Sequence, residues 1–108
     1  MRTLGPIYDT DVNALLEFPL DSIPDQDFPT DTAVATLHVT KWPNVPGTQP
    51  EDAGRACTVY AGVATYETVV YDFEPGTYYA QVRLVDPDSP YGETVNTEVF
   101  RLLVFPSV

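Results

Sequence analysis

The chain has 108 residues but only one cysteine, one lysine, one histidine and one tryptophan. A single cysteine, Cys57, excludes an internal disulfide. Its sequence neighbourhood is not basic, so Cys57 reads as a small buried hydrophobe and not a reactive thiol. A single histidine, His38, leaves a zinc site or a histidine general base without partners. His38 alternates with Leu37 and Val39 and is expected on a sheet face. No apolar run approaches the roughly 18 residues of a membrane span. The first residues, MRTLGPIYDTD, lack the apolar core of a signal peptide, so synthesis and retention in a cytoplasm are expected. Cations are scarce: five Lys and Arg face 16 Asp and Glu, a formal charge of −11. That excess of acid repels phosphate, so neither nucleic acid nor an anionic membrane is an expected partner. A basic protein surface is.

Valine occurs fourteen times, threonine thirteen and tyrosine seven, against two isoleucines. β-Branched and aromatic residues suit a pleated, half-buried surface, and eleven prolines favour turns and edge strands over helices. In NALLEFPL (13–20), Leu16, Phe18 and Leu20 alternate with polar positions, and Pro19 would break a helix, so this is a strand. DSIPDQDFPTD (21–31) reads as an acidic loop. TAVATLHVTKW (32–42) is a strand with Ala33, Ala35, Leu37 and Val39 inward. Residues 43–55 are turn-formers throughout and read as a long loop. Strands are expected over 56–60, 64–73, 77–86 and 95–105, with a loop at 87–94. No repeat, linker or low-complexity tract interrupts them.

The stretch FEPGTYYAQVRLVD (73–86) carries a tyrosine corner, in which a Tyr hydroxyl bonds back to upstream main chain where the chain bends between sheets. Pro75 sets φ for the turn and Gly76 can take a positive φ. Tyr78 is the expected corner residue, with Ala80, Val82 and Leu84 following it inward. FEPGTYY resembles the Leu-x-Pro-Gly-Thr-x-Tyr signature of the fibronectin type III sixth strand, where Tyr79 lies nearer the signature spacing. Tyr78 fits the immunoglobulin Gly-x-Tyr spacing, and the alternation after it favours Tyr78. The expected architecture is all-β: a single antiparallel immunoglobulin-like β-sandwich of about seven strands over 13–108, preceded by an extended acidic arm at 1–12.

LLEFPLDS, ATLHVTKWPN, EPGTYYAQVRLVDPDSPYGET and VFRLLV occur in an order similar to the immunoglobulin-like N-terminal domain of phage baseplate upper proteins and related small virion proteins. The resemblance covers most of 13–105. It implies a structural, non-catalytic protein of a virion assembled in the host cytoplasm. Its partners would be other virion proteins, major capsid or tail and neck subunits, or further copies of itself. A capsid-decorating or minor head protein is the favoured form, and a tail, neck or baseplate component the sister form.

Candidate chemistry is thin. DTDVN (9–13) resembles the start of an EF-hand loop, but Ala14 replaces the required Gly and Leu20 the bidentate Glu. Asp86, Asp88 and Glu93 share one loop and could attract Ca²⁺, or could simply face water on a turn shaped by Pro87, Pro90 and Gly92. Ser22, Ser89 and Ser107 have no nucleophile elbow around them. No catalytic residue, metal or cofactor is expected. Trp42 can be a core aromatic or an exposed contact. Tyr79, Val85, Val99, Leu103 and Phe105 fall on the face opposite the core, which marks a candidate interface. A carbohydrate- or ligand-binding module using Trp42, Tyr60, Tyr66 and Tyr91 as stacking platforms is the alternative from a different class.

Overall fold

The computed structural model describes residues 1–11, 13–21, 23–24, 27–41, 54–69 and 72–107. Among them there are nine strands and no helix. The strands are β1 (Thr3–Tyr8), β2 (Leu15–Pro19), β3 (Val34–Lys41), β4 (Arg55–Ala56), β5 (Thr58–Tyr60), β6 (Val63–Glu67), β7 (Gly76–Val85), β8 (Thr94–Asn96) and β9 (Phe100–Phe105). One sheet runs β1–β9–β7–β3–β4, with β8 also paired to β7; the other runs β2–β6–β5. All pairs are antiparallel except β1 with β9. No helix among the described residues is long and apolar enough to cross a membrane.

Period-two patterning explains how the sheets face each other. Along β7, Tyr78, Ala80, Val82 and Leu84 are buried while their neighbours are half-exposed. Leu37 and Val39 from β3 pair in register with Val82 and Ala80, which places all four on one face. From the opposing sheet, Leu16, Phe18 and Ala64 join the same buried cluster. Phe18 and Phe100 meet edge-to-face with centroids 5.2 Å apart, and both are fully buried. This aromatic contact joins the two layers without a disulfide.

Several expectations need correction. Residues 3–8 are not an extended arm. Leu4 and Ile7 alternate toward the core, and β1 lies alongside β9. The register shifts between Leu4 and Ile7, where Gly5 takes φ +89° and a Cβ would stand 2.9 Å from the Leu103 carbonyl oxygen. Only glycine combines that conformation with so close an approach. Both ends of β1 are tied down. Arg2 donates to Glu98 (2.6 Å) and Asp21 (2.8 Å) and lies over the Phe100 ring. These partners, Glu98 foremost, hold the guanidinium well above its usual pKa. At the far end, Asp9 accepts from the hydroxyl and backbone N–H of Ser107, which lower its carboxyl below the ordinary range.

The strand expected over 95–105 is broken into β8 and β9. Thr97 causes the break: its N–H bonds to Val82 O while its Oγ1 accepts from Val82 N, so one threonine satisfies both main-chain groups and the chain bulges at 98–99. The strand expected over 56–60 changes sheets at Cys57, since β4 pairs with β3 and β5 with β6. Burial pushes the Cys57 thiol up to about 11, so it is protonated at neutral pH. The strand expected over 64–73 ends at Glu67. The acidic loop is also more than a solvent loop, because Ile23 and Phe28 are buried within the core cluster. Trp42 and most of the 43–55 loop lie outside the described residues.

Candidate interaction surface

The corner at 73–78 fixes how β7 enters its sheet. Tyr78 is 8% exposed, and its hydroxyl donates to the Glu74 carbonyl at 2.7 Å. Burial raises its pKa, with the Glu74 charge adding to the effect. Phe73 packs on the ring at 5.6 Å, and Gly76 sits at φ +152°. Tyr79 is the outward neighbour, half-buried and paired with Arg101 and Thr40. Tyr78→Phe should cost about 1–2 kcal/mol, because the Glu74 carbonyl loses its donor. A urea titration reads this directly, and an unchanged midpoint would show the bond to be dispensable.

Next to the corner lies a second polar cluster. Asp72 accepts from the Tyr66 hydroxyl at 2.5 Å, the Val69 N–H at 3.3 Å and Arg55 Nε at 3.3 Å. Arg55 also stacks over Phe73, with its guanidinium carbon 4.6 Å from the ring centroid. Burial, then the Asp72 carboxylate, pushes the Tyr66 hydroxyl up to about 12. Each group has a structural partner.

The carboxylates weighed as calcium ligands are engaged in turns. Asp86 Oδ1 accepts the Asp88 N–H at 3.0 Å, and Asp86 N–H donates to Glu93 O at 2.9 Å. Asp11 Oδ2 accepts the Tyr8 N–H at 2.9 Å. Among the described residues no three His, Cys, Asp or Glu side chains converge as a metal site would need. His38 lies half-buried on the outward side of β3. Of the aromatics considered for sugar stacking, Tyr60 at the end of β5 and Tyr91 between β7 and β8 are exposed but separate, and Tyr66 is drawn to Asp72. A cleft of about 240 Å³ is lined, among the described residues, by Leu20, Asp21, Ile23, Phe28, Thr30 and Gly62.

The outward side of the larger sheet carries Tyr79, Val85, Leu103 and Phe105, as strand alternation requires; Val99 sits in the bulge between β8 and β9. All but Phe105 are half-buried, whereas Phe105 is 43% exposed. Phe105 also has a partner that sequence reading missed. Tyr8 of β1 meets it edge-on at 6.3 Å. The signal was present in TLGPIY, where Leu4 and Ile7 mark an inward side and leave Tyr8 outward, but the nearby acids obscured it. Leu15 and Val69, 50% and 58% exposed, were missed as well. Tyr8 and Val69 border one packing gap, too tight to admit water, with Asp9, Asp11 and Asp72, and Leu15 pairs with Glu67 two residues before Val69.

No protein family, curated protein or solved structure matches this chain.

Proposed function

We propose that the chain is an immunoglobulin-like β-sandwich and a non-catalytic structural protein of a phage virion, docking on other virion subunits through the outward side of its larger sheet. The strand order supports the fold reading. β2–β6–β5 corresponds to strands B, E and D of such sandwiches, and β9–β7–β3–β4 to G, F, C and the next strand. β1 departs from the simplest form of that plan by pairing with the last strand, and the Tyr78 corner falls at the start of the F-equivalent strand.

The observation that carries docking is the apolar outward side at Leu103, Phe105 and Tyr8 on a chain of charge −11. Acid keeps such a surface soluble until a complementary partner covers it. A capsid-decorating or minor head protein is the form we favour, with a tail, neck or baseplate component as the sister form. The test is attachment of purified protein to particles that lack it, followed by imaging. Intact protein should attach at regular sites, with a rate that falls as salt rises, and Leu103→Asp should abolish attachment while retaining the circular dichroism of the parent. Equal attachment by Leu103→Asp would overturn the assignment of the surface. Specific signals on a glycan array, lost in Tyr60→Ala or Tyr91→Ala, would favour the carbohydrate-binding alternative instead.

A further inference from the structure

Eight large hydrophobic side chains are exposed among the described residues. Four of them, Phe105, Tyr8, Val69 and Leu15, lie at the end of the molecule where β1, β6 and β9 finish and β2 begins. Phe105 and Tyr8 are in ring contact, Tyr8 and Val69 border one packing gap too tight for water, and Leu15 and Val69 follow the outward parity of the smaller sheet. The strip therefore wraps from the outer side of one sheet around the end to the other. Among the described residues, five carboxylates share this end: Asp9, Asp11, Glu67, Asp72 and Glu74. Two cations lie with them, and both are paired, Lys41 with Glu74 and Arg55 with Asp72.

We infer that this strip is a docking site for a partner polypeptide segment that is both cationic and apolar. The inference rests on the docking reading for its biology, and it names the centre of contact and the chemistry of the partner. Apolar side chains of the segment would cover Val69 and Leu15. Lysine or arginine would lie against the faces of Tyr8 and Phe105 and near the surplus carboxylates. A second copy of this chain does not fit, because it would set the same acid-rich end, with Asp9, Asp11 and Glu67, against itself.

The experiment uses the full ¹⁵N-labelled chain and the peptide acetyl-Lys-Phe-Lys-Phe-Lys-amide, followed by amide shifts at low salt. Shifts should concentrate at residues 8–11, 15, 67–69 and 104–106. Replacing both Phe in the peptide by Ser, or Phe105→Lys or Val69→Lys in the protein, should weaken binding about fivefold or more. Both protein substitutions are at exposed positions, so the unperturbed remainder of the spectrum reports an intact fold. Shifts centred on the Asp-rich 21–31 and 86–93 loops, or equal binding of the Ser peptide, would reduce the effect to general charge attraction and overturn the inference. Concentration-dependent shifts at the strip without peptide would make a second copy the occupant, which also overturns it. Because no particle is involved, failure here leaves the attachment test of the larger sheet unaffected, and the reverse holds as well.

Discussion

Phe100→Ala should destabilise the protein by about 3–5 kcal/mol, the usual cost of deleting a buried phenylalanine. Phe100 is fully buried and carries three connections at once. It pairs with Ala80 on β7, meets Phe18 of the opposing sheet at 5.2 Å, and lies under the Arg2 guanidinium. Alanine at position 80 explains why the site cannot close over the loss: the neighbour is already small, so a cavity remains. Small domains have about 5–15 kcal/mol of total stability, so the variant is expected near its folding threshold. In a thermal melt the shift should be about 15–30 °C. Phe100→Leu keeps most of the volume and should lose much less. Combining Phe100→Leu with Phe18→Leu then isolates the ring–ring contact, for which about 0.5–1.5 kcal/mol of coupling is expected. A loss below about 1 kcal/mol for Phe100→Ala would mean that the two layers are held together elsewhere.

Sequence legibility followed the range over which the determining contact acts. β3 and β7 were readable because alternation is local: Leu37 and Val39, Val82 and Leu84 announce their face without reference to a partner. The corner was readable because Pro75, Gly76 and Tyr78 lie within four positions of the carbonyl they serve. β1 was not, since its partner β9 begins nearly a whole chain length away and its strand pattern is interrupted at Gly5 and Pro6. Thr97 has the same difficulty in miniature. Nothing in VNTEVF says that one threonine will satisfy both main-chain groups of Val82 and split the strand. Ile23 and Phe28 were hidden by their setting among aspartates and prolines, where two isolated apolar residues carry no period. Of the candidate surface, Leu103 and Phe105 were legible from alternation, while Tyr8, Leu15 and Val69 depend on which strands lie side by side.

The paired termini follow from the same topology. Arg2 and Asp9 bracket β1, and their partners Asp21, Glu98 and Ser107 come from three separate parts of the chain. Exposed ion pairs of this kind contribute little to stability individually. What they do supply is register: with β1 held at both ends, Tyr8 is kept beside Phe105 and the apolar strip is continuous.

Asp72→Ala should cost about 2–4 kcal/mol, less than for a fully enclosed ion pair because Arg55 retains some contact with water. The side chains of Asp72 and Arg55 are 11% and 23% exposed. Removing the carboxylate leaves the Tyr66 hydroxyl, the Val69 N–H and the Arg55 guanidinium each short of an acceptor. Asp72→Asn keeps an acceptor for Tyr66 but removes the charge that faces Arg55, so it should fall between the parent and alanine. Tyr66→Phe on its own should be milder, near about 1 kcal/mol. The pair Asp72→Ala with Tyr66→Phe should be less damaging than the sum, since each single change already breaks the same bond. The cluster also predicts an alkaline limit. The folded pKa of Tyr66, near 12, lies above the ordinary value of 10.0, so the folded state holds this proton more tightly than the unfolded chain does. That contribution is fully present below pH 10 and is lost as pH rises toward 12, where stability should decline. Denaturant midpoints measured from pH 8 to 11 in the parent and in Tyr66→Phe decide the matter. The parent should fall more steeply than the variant above pH 10, and parallel curves would show that the Tyr66–Asp72 bond does not couple to folding.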